Sequence, residues 1–166
     1  MTRATAQGPD ASAASNETPS GHLRATALLD VLGYQLAQAS VVTSQVFGRS
    51  VGVPRELRPV EYTMLQLIKE NPGTSPVRLA QALAVTKANI TMWVDRLVAR
   101  ELVQRRPSAS DKRAQELHTT PAGELLAQQA TALLVAGEHS VLQRLSAAER
   151  AMLIELLQKV ARCAVR

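Results

Sequence analysis

Hydrophobic residues recur every three or four positions through most of the chain, a spacing that places them on one face of an α-helix. The first such stretch predicts a helix from about His22 to Phe47, which the glycines and proline of segment 48–54 interrupt. A second stretch predicts a helix over residues 59–70 that stops at Asn71-Pro72-Gly73. The chain therefore begins with two helical segments.

The next segment predicts two helices joined by a short turn. Ser75 can accept a hydrogen bond from a free backbone amide, and Pro76 suits the first helical position, so we expect a helix over residues 77–83. After the three-residue turn Ala84-Val85-Thr86, Thr86 is the predicted N-cap of a helix that continues to about Arg100. This order predicts a helix-turn-helix.

The last third of the chain predicts a hairpin followed by two helices. Residues 102–106 and 114–117 are expected to form two short strands on either side of a turn. A long helix is expected over residues 121–145, and Ser146 with Glu149 forms a capping box that begins a final helix. The predicted fold is mainly α: a winged helix-turn-helix with a two-stranded β-wing, flanked by N- and C-terminal dimerisation helices.

The second helix of the pair has the features of a DNA-recognition helix. An α-helix fits the major groove of B-DNA, where each base pair presents a distinct pattern of donors and acceptors. Asn89 can pair with adenine, Lys87 can contact guanine or phosphate, and Thr91 suits a phosphate or a thymine methyl. If Ile90, Val94 and Leu97 form the inner stripe, the outward residues near the N-terminus are Lys87, Ala88, Asn89, Thr91 and Met92.

Charge favours DNA over the alternative that these polar side chains merely face water. The chain has 166 residues, of which 46% are hydrophobic and 20% charged, a composition typical of a globular protein. Its net charge is +5, and the segment from Thr86 to His118 contains seven basic residues against four acidic ones. A basic excess around the hairpin predicts a polyanionic partner, double-stranded DNA.

The sequence offers no basis for catalysis or a cofactor. His22, His118 and His139 are scattered, and no metal-binding, phosphate-binding or nucleophile motif accompanies them, so we predict no enzyme activity, no metal and no cofactor. No apolar run approaches the ~20 residues that span a bilayer. The single Cys163 suits a reducing compartment, and we expect a cytoplasmic protein.

Six short motifs follow one another between about residues 55 and 125. No single motif is specific, whereas the combination and its order are. They are Leu57-Arg58-Pro59-Val60-Glu61-Tyr62, Leu79-Ala80-Gln81-Ala82-Leu83, Val94-Asp95-Arg96-Leu97, Leu102-Val103-Gln104-Arg105-Arg106, Asp111-Lys112-Arg113 and Thr120-Pro121-Ala122-Gly123.

This combination resembles the MarR family of bacterial winged helix-turn-helix regulators. The resemblance implies a homodimer with interlocked terminal helices, in which two winged domains read a near-palindromic operator. It also implies repression and release by a small-molecule effector, often aromatic and anionic. In the wing, it implies that Arg113 enters the minor groove and that Asp111 orients its guanidinium. The predicted DNA-binding residues are Ser75, Thr86, Lys87, Ala88, Asn89, Thr91, Met92, Arg96, Arg106, Asp111, Lys112 and Arg113.

Five positions depart from the family pattern, one of them Thr119, which replaces a usual leucine and has no explanation in the sequence. Ala84 and Glu101 stand where glycine is common, and we expect a slightly altered local turn at each position rather than a left-handed backbone. Met92 replaces a common arginine, which removes one expected DNA contact. Trp93 replaces an aliphatic residue, and its position on a core-facing flank favours packing over a ligand lid.

The predicted organisation comprises four segments: a disordered tail (1–20), an N-terminal dimerisation helix (21–54), the winged DNA-binding domain (55–120) and C-terminal dimerisation helices (121–166). Two alternatives remain open: a thiol redox sensor acting through Cys163, for which inert packing or a frayed helix end is the favoured interpretation, and a non-specific architectural DNA-binding protein. A homodimer is predicted because a lone winged domain leaves these apolar residues uncovered: Leu28, Leu32, Leu36, Leu153, Leu156 and Leu157.

Overall fold

The computed structural model describes residues 16–108 and 115–163, and its internal contacts divide the chain into two units, Met1–Thr43 and Ser44–Arg166. The mainly α fold with a two-stranded antiparallel sheet is confirmed. The elements are a 3-10 turn (Thr26–Leu28), α1 (Leu32–Phe47), a π-type turn (Gly48–Gly52), α2 (Pro59–Glu70), α3 (Pro76–Ala82), α4 (Lys87–Ala99), β1 (Val103–Pro107), β2 (Gln115–Thr119), α5 (Pro121–Val141) and α6 (Ala147–Ala161).

The N-terminal segment differs from the prediction of a disordered tail over residues 1–20. Residues 1–15 lie outside the described part of the chain. Residues 16–20, in contrast, form a turn in which the Thr18 amide donates to the Leu23 carbonyl (2.8 Å) and the Ala25 amide donates to the Asn16 carbonyl (2.7 Å). The turn-forming residues of this segment allow local hydrogen bonds without a hydrophobic core.

The first long helix begins about ten residues later than predicted, at Leu32 instead of His22. Between these two residues, backbone amides bond to the carbonyl three residues earlier, not four: the Leu28 amide donates to the Ala25 carbonyl (2.8 Å), and the Val31 amide donates to the Leu28 carbonyl (3.0 Å). The apolar periodicity continues through this segment because 3-10 turns, like α turns, place residues three positions apart on the same side of the chain. Periodicity therefore predicted the helix but not its first residue.

The winged domain closes around one hydrophobic core. Met64, Leu65 and Ile68 of α2 are fully buried against Leu79 of α3 and Leu117 of β2. The predicted inner stripe of α4 is confirmed, because these three residues are completely buried in the same core: Ile90, Val94 and Leu97.

The wing is larger than the two predicted strands. β1 and β2 pair antiparallel from Val103 opposite Thr119 to Pro107 opposite Gln115. A further bridge joins Thr74 to Leu117, where the Leu117 amide donates to the Thr74 carbonyl (2.8 Å). The segment that leads into α3 is therefore hydrogen-bonded to the wing, a long-range pairing that local sequence patterns did not indicate.

The start of α5 is fastened to the end of α4. The Thr120 hydroxyl accepts from the Gly123 amide (3.0 Å) and donates to the Glu101 carbonyl (2.6 Å). A Cβ at Gly123 would lie 2.0 Å from the Leu102 carbonyl oxygen, so only glycine permits this approach. The Thr120-Pro121-Ala122-Gly123 motif thus joins the winged domain to the C-terminal helices.

The C-terminal helices differ from the prediction in one boundary. α5 ends at Val141, about four residues before the predicted end, and the Arg150 guanidinium donates to the Leu142 carbonyl (3.4 Å) just beyond it. A helix end leaves free carbonyls, and this contact satisfies one of them. The predicted capping box of Ser146 and Glu149 at the start of α6 is confirmed.

Candidate nucleic-acid interface

The N-termini of α3 and α4 are capped as predicted. The Ser75 hydroxyl accepts from the Arg78 amide (3.3 Å), and the Thr86 hydroxyl accepts from the Asn89 amide (3.4 Å). These caps satisfy amides that no helical carbonyl can reach. They fix the first residue of the recognition helix α4 at Lys87.

The helix ends contradict the expectation of altered turns. Ala84 and Glu101 are both left-handed, with φ of 52° and 56°. At each, the following amide reaches back five residues, from Val85 to the Ala80 carbonyl and from Leu102 to Leu97. This Schellman pattern requires a left-handed residue, so each non-glycine residue there costs on the order of 1 kcal/mol.

The outer face of α4 is open. All five predicted outward residues of its N-terminal half are exposed, and the Met92 side chain is 49% exposed. The Thr91 hydroxyl donates to the Lys87 carbonyl (3.1 Å), which leaves its acceptor lone pairs free to receive an outside donor. Lys87, Ala88, Asn89, Thr91 and Met92 therefore share one accessible surface.

A groove of about 370 Å³ joins this surface to the wing. Its lining brings together Ser75, Lys87 and Thr91, all three predicted as DNA contacts. It also includes Arg105, which is not among the predicted DNA contacts although the basic pair Arg105-Arg106 stands out in the sequence. Arg106 is exposed on β1, opposite Glu116, whereas Asp111, Lys112 and Arg113 lie outside the described residues.

Charged contacts hold α4 on the wing side and at its C-terminal end. Arg105 of β1 donates to the Asp95 carboxylate at 2.5 Å, which ties the helix to the wing. Arg100 donates to the carbonyls of Arg55 (2.9 Å) and Glu56 (2.7 Å), which ties the helix end to the loop before α2. These contacts fix the helix without using its outer face.

Arg96, predicted as a DNA contact, has a partner inside the domain. Its Nε lies 3.0 Å from Oε1 of Glu61 on α2. The Glu61 side chain is 1% exposed and the Arg96 side chain is 40% exposed. The other carboxylate oxygen of Glu61 accepts from the Arg58 amide (2.9 Å). Arg96 therefore lies between a buried carboxylate and the outer surface.

A polar network links α2 to α5 on the other side of the domain. The Tyr62 hydroxyl is hydrogen-bonded to the Thr131 hydroxyl at 2.9 Å, and Gln66 donates to Thr131 and to the Ala127 carbonyl (2.7 Å). An adjoining groove of about 460 Å³ is lined in part by Lys69.

Within the described part of the chain, no cluster of three or more His, Cys, Asp and Glu residues could hold a metal ion. His118 Nε2 lies 3.5 Å from the Glu116 carboxylate, and these two groups alone are too few for such a cluster. Cys163 is exposed just beyond α6, so of the two expectations for its thiol, buried packing or a position at the helix end, the structure shows the second. None of the helices in residues 16–108 and 115–163 is long and apolar enough to cross a membrane.

Comparisons with known proteins decide the family. A model of the MarR family matches residues 57–114. The chain is 33% identical over 131 residues to a Thauera aromatica protein described as a transcriptional regulatory protein for the hcr operon, and the match covers 79% of both proteins. The chain belongs to the MarR family. Another MarR-type relative, the Escherichia coli transcriptional regulator HosA, is 30% identical over 105 residues, or 63% of this chain and 78% of HosA.

MarR-family structures share the fold. The transcriptional repressor CouR, solved bound to a 23-mer DNA duplex, has a TM-score of 0.78 at 28% identity, covering 85% of this chain and 99% of CouR. Wild-type E. coli MarR has a TM-score of 0.68 at 26% identity, covering 78% of this chain and 95% of MarR. The chain is thus a DNA-binding transcriptional regulator of the MarR type.

Proposed function

We propose that the protein is a homodimeric repressor that binds a near-palindromic operator and is released by a small aromatic, anionic effector. The carrying observation is the groove that joins Ser75, Lys87 and Thr91 to Arg105 beside the open face of α4. Lys87 at the N-terminus of α4 and Arg105 on β1 are basic groups of the kind that contact DNA phosphates. The similarity to DNA-bound CouR supports the same placement.

In this proposal α4 enters the major groove by its N-terminal half. Asn89 reads adenine, Lys87 contacts guanine or phosphate, Thr91 contacts a phosphate or a thymine methyl, and Met92 meets a thymine methyl. In the wing, Arg113 enters the adjacent minor groove and Asp111 orients its guanidinium, while Lys112 and Arg106 supply further basic contacts. The remaining contacts of the proposed interface are Ser75, Thr86, Ala88 and Arg96.

The homodimer is supported by apolar side chains that the chain does not cover. Leu32 in α1 and Leu153 in α6 are 55% and 43% exposed, and neighbouring positions on both helices are similar. Contiguous exposed apolar faces mark interaction surfaces. Two copies joined through them hold two recognition helices about 10 bp apart, which predicts an inverted-repeat operator. The proposed segments are those given above, with residues 55–120 as the DNA-binding domain.

The α2–α5 groove is the proposed effector site. Tyr62 supplies an aromatic ring, Lys69 supplies a cation, and Gln66 and Thr131 supply hydrogen-bonding groups around about 460 Å³. A groove of that size suits a small molecule, and its lining is largely polar and includes Glu70 and Gln128 as well. An aromatic carboxylate satisfies both the ring and the cation. Lys69→Ala is expected to abolish effector-driven release while it leaves operator binding intact.

Fluorescence anisotropy tests the proposal with the DNA upstream of the protein's own gene and a scrambled duplex at physiological salt. We expect a preference of about 10³-fold or more for the upstream DNA. Equal, salt-sensitive binding to both duplexes contradicts the proposal and supports a non-specific architectural protein.

The chain offers a matched control for the contact face. Thr91 and Thr63 are both exposed, and each hydroxyl donates to the carbonyl four residues earlier, at 3.1 Å and 3.0 Å. Thr91→Ala is expected to weaken operator binding by about 1 kcal/mol, and Thr63→Ala is expected to leave it unchanged. Equal effects of the two changes count against the assigned face.

A further inference from the structure

Glu61 is a buried carboxylate beneath the recognition helix. Its side chain is 1% exposed, and a carboxylate at that depth requires compensation by hydrogen bonds or an opposite charge. Oε2 accepts from the Arg58 amide (2.9 Å), which completes the cap of α2. Oε1 accepts no well-aligned hydrogen bond in residues 16–108 and 115–163, and Arg96 Nε lies 3.0 Å from it. The charge of Arg96 is therefore the compensation for Oε1.

We propose that Glu61 is a positioning residue that sets the orientation of α4 on the operator by holding Arg96. This proposal rests on the proposed function and deepens it. Arg96 keeps 40% of its side chain exposed while its Nε faces Glu61, so the anchored guanidinium is held on one side by a buried carboxylate and is open to solvent on the other. Because the guanidinium is planar, fixing Nε also fixes the directions of its other nitrogens.

The position of the Glu61–Arg96 pair explains how it can fix the rotation of α4 about its axis. Asp95 and Arg96 are consecutive on α4, so their side chains leave the helix about 100° apart. Asp95 is held by Arg105 of the wing, and Arg96 is held by Glu61 of α2. The helix is thereby restrained from two flanks, which fixes its rotation about its own axis. That rotation decides which side chains of the N-terminal half meet base edges.

Stability alone is a weak reason for this pair. Buried ion pairs often contribute no more than apolar residues of the same size, because desolvation offsets the attraction. The cap of α2 needs only Oε2, which a glutamine oxygen can replace. What a carboxylate adds is a charge directed at α4, and this addition is separable from the cap by one substitution.

The test is Glu61→Gln, which keeps the cap acceptor and removes the charge. Operator affinity is expected to fall roughly tenfold, because the ion pair that orients Arg96 and α4 is lost. Affinity for scrambled DNA is expected to stay the same or rise, because Arg96 gains freedom to meet phosphates. The specificity ratio therefore falls, whereas a merely destabilised domain loses both affinities together.

The single tryptophan provides a readout that does not depend on DNA. Trp93 lies three residues before Arg96 on α4, is half-buried and packs against the winged-domain core. Its emission and its quenching by acrylamide therefore report how α4 is seated. We expect Glu61→Gln to shift the emission and to increase quenching with unchanged far-UV circular dichroism.

Glu149→Gln is the matched control, because Glu149 is also a capping-box glutamate but begins α6. It removes the same charge and is expected to leave Trp93 emission and the specificity ratio unchanged. If Glu61→Gln does not fold, the double variant Glu61→Gln/Arg96→Gln leaves no buried charge unpaired, and the same fall in the specificity ratio is expected.

Three results overturn the proposal. They are an unchanged ratio with unchanged Trp93 emission, an equal loss of affinity for both duplexes, and a double variant that retains wild-type preference. If the wild-type protein shows no operator preference, the proposed function fails. In that case, Trp93 emission alone decides whether Glu61 positions α4: a shift supports that role and no shift contradicts it.

Discussion

The helices α4 and α6 have similar lengths, 13 and 15 residues, and opposite surroundings. In α4 the residues Ile90, Val94 and Leu97 are fully buried by the rest of the winged domain. In α6 no residue is buried, and its large apolar side chains are 38% to 53% exposed. The exposed set comprises Met152, Leu153, Ile154, Leu156, Leu157 and Val160.

This contrast separates the winged domain, whose apolar side chains a single chain buries, from α6, whose apolar side chains a single chain leaves exposed. The winged domain buries its own core, so its recognition helix is presented on a finished scaffold. The leucines of α6 each stand to gain about 1.5–3 kcal/mol from full burial. A second copy of the chain offers the same apolar face in return, which is the basis of the proposed homodimer.

The largest loss of stability is expected at the contact between the start of α5 and the end of α4, where the winged domain meets the C-terminal helices. Gly123→Ala places a methyl group against the Leu102 carbonyl, because a Cβ there would lie 2.0 Å from that oxygen. We expect the free energy of unfolding to fall by about 3 kcal/mol, measured by urea titration. Gly33→Ala is the control, since its Cβ meets nothing within 4 Å and α1 gains from alanine. Equal stability of the two variants contradicts this account of the motif.

Leu157→Ala tests the exposed apolar face of α6. We expect dimerisation to weaken by about 2 kcal/mol, seen by sedimentation equilibrium, with little change in the unfolding of the winged domain. Val53→Ala changes a side chain that is 80% exposed in a loop, and it is expected to leave the association constant unchanged. A wild-type protein that sediments as a folded monomer at micromolar concentration rules out the proposed interface.

The turn between α3 and α4 contains a strained residue, Ala84, and glycine at that position relieves the strain. Ala84→Gly is expected to stabilise the protein by about 0.5–1 kcal/mol, because Ala84 has a φ of 52°. The counterpart is Ala82→Gly, at the last residue of α3, which is expected to destabilise by at most about 1 kcal/mol. Thermal unfolding of the pair gives the sign of each change. Destabilisation by both changes argues against a left-handed Ala84.

The smallest effect concerns the start of α6. Hydrogen bonds from the Ser146 side chain and then its backbone amide lower the pKa of Glu149 from its ordinary value of 4.5. A lowered folded-state pKa contributes stability above the unfolded value, and this contribution is lost as the pH falls through the folded value. Glu149→Gln is expected to remove that acid dependence, measured by urea midpoints from neutral to acidic pH. Identical pH profiles for wild type and variant refute this contribution.

Local rules carried the prediction furthest in the helix-turn-helix. Ser75, Thr86 and Ser146 are caps because each hydroxyl serves an amide three residues along the chain, and sequence shows that directly. The inner stripe of α4 followed from periodicity in the same way. Features set within a few residues of one another are therefore predictable.

Contacts between distant segments were not predictable. Glu61 and Arg96 lie 35 positions apart, and nothing in either neighbourhood identifies the other as its partner. The Thr74–Leu117 bridge arises only after the domain has closed. Ala84 and Glu101 were expected to avoid the left-handed region, but the Schellman bonds at both helix ends outweigh their intrinsic preference. Tertiary structure decided each of these features.

The central claim is that two copies of the chain, joined through surfaces such as α6, place two recognition helices on one operator. Sedimentation velocity of the protein with a labelled inverted-repeat duplex tests it most directly, with a duplex that carries one intact half-site for comparison. We expect two chains per intact duplex and much weaker binding to the half-site. One chain per duplex, with equal affinity for both DNAs, contradicts it.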